Sequence, residues 1–311
     1  MPDAVAVGAG TGSVTAGNAE VSMTTKLITL HSWPRLDRPV LVVSLEGWID
    51  AGQASGTAMA TLLETLETTP VATFDSDLLI DHRARRPVLR IENGVETKLE
   101  WPELRLDVAA GQAGRDVLLL SGPEPDMRWH QLLDEVLEVA GRLGVETVVG
   151  LGAFPAPVPH TRPVRLAATS TDAELAGRVG YIPATIDVPA GLQGALVHTA
   201  GARGLEAVGL WARVPHYASA LPYPGASAAL LDQLAIVAGI ELETSQLHRA
   251  AKATAAQIDE LISGSEEHVA LVRQLERQHD AEEGMAAIDF GELPSGDELA
   301  DELQRFLRGE H

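Results

Sequence analysis

No cysteine occurs among the 311 residues, which excludes disulfides, thiolate nucleophiles and cysteine-ligated zinc. Uninterrupted apolar runs of about 18 residues are also missing, so no stretch qualifies as a membrane-spanning helix. Bases are scarce, with 23 Lys and Arg against 44 Asp and Glu, a net charge of −21. That balance argues against nucleic acid as a partner, because neutralising phosphates takes clustered Lys and Arg. Residues 1–22 lack the basic start and apolar core of a signal peptide. They are small and Gly-rich, so a disordered leader and a cytoplasmic protein are expected.

Familiar catalytic signatures are absent as well. Gly8, Gly10 and Gly12 fall in the leader, with no strand before them and no helix after, so they are no dinucleotide fingerprint. No Gly-Lys-Ser/Thr phosphate loop and no HExxH zinc spacing occur. Gly225-Ala226-Ser227-Ala228-Ala229 lacks the second glycine of a nucleophile elbow and reads as the opening of a helix. No cofactor and no metal are expected.

At 45% hydrophobic residues, the chain has enough apolar side chains for a large core. Its organising stretch is Arg115 to Pro163. Asp116–Leu120 reads as a buried strand, stopped by Ser121-Gly122-Pro123, with Asp126 placed to cap the next helix. Trp129, Leu132, Leu133, Val136, Leu137, Ala140 and Leu143 recur at helical spacing. Gly141 and Gly144 mark the stop, and Val145–Leu151 reads as a second strand, parallel to the first. Elsewhere strands are expected over 26–30, 40–45, 71–74, 164–169 and 206–214, and helices over 53–68, 172–178, 190–202 and 226–238. Asn93-Gly94 between 88–92 and 95–100 is a hairpin signal, and 104–109 is expected to extend that antiparallel edge. Thr244 to Arg277 is amphipathic and interrupted by Ser263-Gly264-Ser265, which predicts two helices or a kinked one. A last short helix is expected near 296–308. The expected division is a leader (1–22), an α/β core (23–240), a helical extension (241–283) and an acidic tail (284–311). From Glu241 onward, 17 acids against 6 bases give −11, about half the total charge.

Open parallel sheets bind ligands beyond the carboxyl ends of their strands. The loops there hold Glu46, Trp48 and Asp50, then Glu124, Arg128 and Trp129, then His160 and Arg162, and finally His216 and Tyr217. Carboxylates, a histidine and an arginine converging on one rim would suit acid–base work or anion binding. The plainer reading is structural: Glu46 and Asp50 cap a helix, and His160 ties down the Pro-rich loop PAPVPHTRP. Arg83, Arg85 and Arg86 would then pair with Asp77 and Asp81, and the tryptophans would serve as core or subunit contacts.

Five motifs then stand out in order: LEGWIDAG from Leu45, the DxD…DHRxRRP run from Asp75 to Pro87, SGPEPDMRW from Ser121, GLGAFPAPVPHTRP from Gly150, and WARVPHY from Trp211. Together they resemble the actinobacterial branch of the proteasome assembly chaperone 2 family, over about Leu27 to Glu276. The resemblance implies a three-layer α/β core of the phosphorylase/hydrolase-like type. Its sheet would be mixed and mainly parallel, with a helical C-terminal part. It further implies homo-oligomeric assembly, a trimer among the options, and protein partners such as proteasome α-subunits. Some archaeal relatives dock through a C-terminal hydrophobic-Tyr-any tail; here the last residues are Arg308-Gly309-Glu310-His311, so that route is not expected. Three functions remain open on sequence: a non-enzymatic chaperone-like scaffold, an enzyme or binder of ligase, phosphorylase or hydrolase type acting on an anionic substrate, and simple oligomeric packing.

Overall fold

A computed structural model describes residues 26–110 and 115–286. The expected leader and the helix near 296–308 lie outside them. Four apolar runs form adjacent parallel strands at the centre of one sheet: β2 (Val40–Glu46), β7 (Val117–Pro123), β8 (Thr147–Ala156) and β10 (Glu206–Pro215). Strands covered on both faces read as continuous rather than alternating hydrophobics, which is why VLVVSL and VLLLSG carry no polar face. With β1 (Ile28–Leu30), β3 (Thr68–Phe74), β6 (Arg105–Ala109) and β9 (Leu166–Ser170) the order is β1-β3-β6-β7-β2-β8-β10-β9. The flanking pairs are antiparallel, so the sheet is mixed with a parallel centre.

Alternate side chains feed two cores. Val40, Val42, Leu119, Leu151 and Leu210 join α1 (Ala54–Thr65), α6 (Pro224–Ala238) and α7 (Ser245–Ser263) on one face. Leu41, Val43, Leu118, Leu120 and Val148 join α3 (Trp129–Arg142) and α5 (Leu192–Ala202) on the other. Short helices α2 (Ser76–Leu79) and α4 (Ala173–Val179) lie in the connections, and Asp172 caps α4 by accepting from the Glu174 and Leu175 N–H groups. The predicted interruption near Ser263 is real: α7 ends there and α8 (Glu266–Ala286) follows as a separate helix.

The expected strand-helix-strand unit β7-α3-β8 is parallel, with β2 between its two strands. Two expectations need correction. Ser121-Gly122-Pro123 does not stop β7, which pairs with β2 through Glu46↔Pro123. Arg105–Ala109 does not extend the Asn93-Gly94 hairpin. It enters the main sheet between β3 and β7, leaving β4 (Val88–Glu92) and β5 (Val95–Glu100) as an isolated pair. At its turn Asn93 and Gly94 both have positive φ (51° and 84°), the backbone that an Asn-Gly hairpin requires.

Candidate functional site

Parallel strands end on the same edge, so the loops after β2, β7, β8 and β10 share one rim. Backbone contacts tie them together: the Glu124 N–H donates to the Glu46 carbonyl (2.6 Å), and Asp50 bridges Ala153 of β8. All ten residues singled out above therefore stand at this edge. Their side chains nevertheless sort into two separate constellations.

The first gathers Trp48, Glu124 and the start of α5. Glu124 is buried, and its carboxylate accepts the Leu192 N–H at 2.6 Å, filling the N-terminus of α5. Gly191 permits this approach, since a Cβ there would fall 2.7 Å from that carboxylate and 3.1 Å from the Trp48 ring. Asp50 does the same for α1, accepting from the Ser55 and Gly56 N–H groups at 2.8 and 3.0 Å. Helix N-termini at this edge are where doubly wound folds hold anions, and here the chain's own carboxylates occupy two of them. The cavity among Trp48, Glu124, Gly191, Gln193 and Trp211 measures about 20 Å³, room for roughly one water.

Around it, several groups take unexpected partners. Asp126 does not cap α3. Arg128, exposed and at φ 60°, holds the N-cap position, while Asp126 accepts from the Asp81 N–H and pairs with Arg85 at 3.1 Å. Arg85 also donates to the Glu124 carbonyl, so it clamps the β7 loop instead of pairing with Asp77 or Asp81. Asp77 faces His82 (3.2 Å), and the Asp81 carboxylate accepts the Arg83 N–H. Trp129 is half-buried against the α3–α5 core and donates its indole N–H to Pro125 (2.6 Å). Glu46 is exposed, and it is Asp50 alone of the two that caps α1.

The second constellation fastens the C-terminal helices. The His160 N–H donates to the Tyr217 hydroxyl at 2.9 Å, and that hydroxyl lies 2.8 Å from His160 Nδ1. The Asp259 carboxylate of α7 can only accept, so Nε2–H donates to it at 2.9 Å, and Nδ1 is left to accept the Tyr217 hydroxyl proton. Burial, foremost, pushes the Tyr217 hydroxyl up to about 12, with the Asp259 and Glu276 charges adding to it. His216 is exposed and meets the Tyr217 ring edge-on. Arg162 grips Asp280 of α8 with two bonds of 2.8 Å and reaches Glu276 at 3.2 Å. Hydrogen bonding to Asp280 raises the Arg162 guanidinium above its ordinary value, and the same bond holds Asp280 below the usual carboxylate range. The rim residues thus form a cap-and-pocket group and a latch. The latch partners Asp259, Glu276 and Asp280 carry no sequence signal beyond lying on amphipathic helices.

Exposed apolar side chains concentrate on this edge. β3 runs antiparallel to β6 and β6 to β7, so β3 ends and β6 begins where β7 ends, and the β4–β5 arm inserts at the same rim. Trp48, Ile49, Met127, the arm, Leu221 and Leu261 at the α7–α8 turn are exposed there, as are Ile182, Ile186 and Val188 leading into α5. Among the large exposed apolar residues described, Trp33, Tyr181 and Ile236 stand outside this group. No described helix is long and apolar enough to cross a membrane, and no described group of three His, Asp or Glu is placed to hold a metal.

The family model described as PAC2 family matches residues 44–262. Among solved structures, the chain is similar to a Mycobacterium tuberculosis proteasome-assembly chaperone homologue, at 37% identity over 75% of this chain and 99% of that one, TM-score 0.70. A PAC2 family protein from Streptomyces avermitilis matches with the same identity and coverages, TM-score 0.67. An archaeal proteasome activator from Pyrococcus furiosus shares the fold at 17% identity, covering 76% of this chain and 99% of that one, TM-score 0.59. No curated protein matches the chain.

Proposed function

Because the chain belongs to the PAC2 family, we propose that it is a non-enzymatic, proteasome-assembly-chaperone-like protein. In this reading it works as a homo-oligomer and docks protein partners, proteasome subunits foremost, on the carboxyl rim of its sheet. The observation that carries it is the gathering of exposed Trp48, Ile49, Met127, Ile182, Ile186 and Val188 on that one edge. Contiguous exposed apolar surface rimmed by charge is the usual mark of a protein contact. A chaperone-like role agrees with the similarity to the mycobacterial homologue.

An enzyme or binder of anionic compounds draws less support. The groups it would need are already engaged: Arg162 by Asp280 and Glu276, and two helix N-termini by Asp50 and Glu124. The space enclosed at the Trp48–Glu124 site is about 20 Å³, far below a metabolite pocket; a larger hollow of about 520 Å³ lies apart from these residues, among His31, Pro70, Thr73, Glu103 and Arg105.

Immobilised protein is expected to retain proteasome subunits from a purified mixture. Trp48→Asp, changed at a half-exposed position, is expected to weaken that capture by about tenfold or more, as loss of an aromatic anchor does. Equal failure of wild type and variant to retain any subunit, at low and moderate salt, counts against the proteasome reading. A thermal upshift with small anions that His160→Ala abolishes would favour the ligand reading instead.

A further inference from the structure

β4 and β5 pair with each other alone, and every residue of both is exposed. The arm carries Val88, Leu89, Ile91, Val95 and Leu99, and Trp101 at its root. A lone two-stranded hairpin is marginal in water, and two free edges with apolar faces invite another chain. Trp101 leans edge-on against His82, ring centroids 4.9 Å apart, which anchors the root and leaves the rest bare.

Charge indicates what covers it. In a chain of net charge −21, the root of the arm holds Arg83, Arg86 and Arg90, all exposed and without a salt bridge among the described residues. Of the acids, Glu92 and Glu96 sit toward the turn and Glu100 at the root is neutralised by Lys98, which leaves Asp81 and Glu103 against the three arginines of the root half. The complement stands on the other flank of the same rim. Where α7 turns into α8, Glu260, Glu266 and Glu267 are exposed and likewise without a salt bridge among the described residues, and Leu261 is 73% exposed beside them. Within one chain the arm inserts between β3 and β6, whereas the helical tip is fastened to the loop after β8, across β7 and β2.

We propose that the β4–β5 arm of one copy docks on the α7–α8 tip of a second copy, apolar strands against Leu261 and the root arginines against the tip carboxylates. This rests on the homo-oligomer reading above and names its contact. The contact is head-to-tail, so it repeats by rotation, and a closed ring turns every rim to the same side. Several docking rims then face one partner together, which strengthens weak contacts through effective concentration.

The test is native mass by light scattering on the full chain, with Arg86→Glu/Arg90→Glu, with Glu260→Arg/Glu267→Arg, and with all four changes together. Wild type is expected at several times the 32.9 kDa chain mass. Each reversal alone should give the mass of one chain, and the fourfold variant should regain the wild-type mass, which separates lost contact from lost folding. A wild-type oligomer unmoved by either reversal, or no recovery in the fourfold variant, overturns this contact and leaves the homo-oligomer reading standing. A monomeric wild type overturns both.

Discussion

At the scale of single residues, the informative side chains are those whose partners are far away in sequence. Glu124 is 68 positions from the N–H that it accepts, and it is buried. Removing it orphans a buried donor, which costs about 1–3 kcal/mol. Glu124→Ala is therefore expected to lower the urea midpoint with an unchanged slope, and Glu124→Gln, which keeps an acceptor, to lower it less. Equal loss in both would show that the Leu192 contact is not what matters. Asp50 is the opposite case. Its N–H donors lie five and six residues on, so local reading of WIDAG found that cap. Asp126 looked equally good as a cap before a helical stripe, but Arg85 and the Asp81 N–H compete for its carboxylate.

At the scale of elements, α8 is held by its buried Val272 and Leu275 and by a set of polar contacts. Arg162 binds Glu276 and Asp280, Thr161 binds Glu276, and Arg165 donates to the His279 carbonyl. Substituting Arg162→Met is expected to speed amide exchange along α8 while α6, packed in the core, keeps its protection. The pH dependence has a fixed sign. Asp280 is held below its ordinary value, so its share of α8 docking is present above the usual aspartate range. It is lost as pH falls through the depressed folded value. Amides of α8 should therefore lose protection on acidification before those of β2 and β8. A simultaneous loss would show that α8 belongs to the global unfolding unit. The β4–β5 hairpin, in contrast, was legible from Asn93-Gly94, because both turn residues need positive φ. Its isolation was not legible, since which sheet a neighbouring strand joins is a long-range choice.

At the scale of the whole molecule, acidity and an apolar rim coexist. Docking should therefore have two separable components. The charged part weakens as the screening length falls from about 10 Å at 0.1 M salt to about 3 Å at 1 M, while the apolar part persists. Oligomer mass is expected to decline with salt in wild type. Capture per subunit should stay sensitive to Trp48→Asp at every salt concentration. A mass independent of salt would leave apolar contact as the sole cause of assembly.

Sequence by itself determined the parallel centre, the helices that cover it, the Asn-Gly turn and the family kinship, because each rests on local periodicity, turn chemistry or motif order. Tertiary structure alone decided that β2 separates β7 from β8, and that the rim residues divide into a capped pocket and a latch. Strand order and the partners of a side chain are set by contacts between segments a hundred residues apart, and no spacing along the chain encodes them.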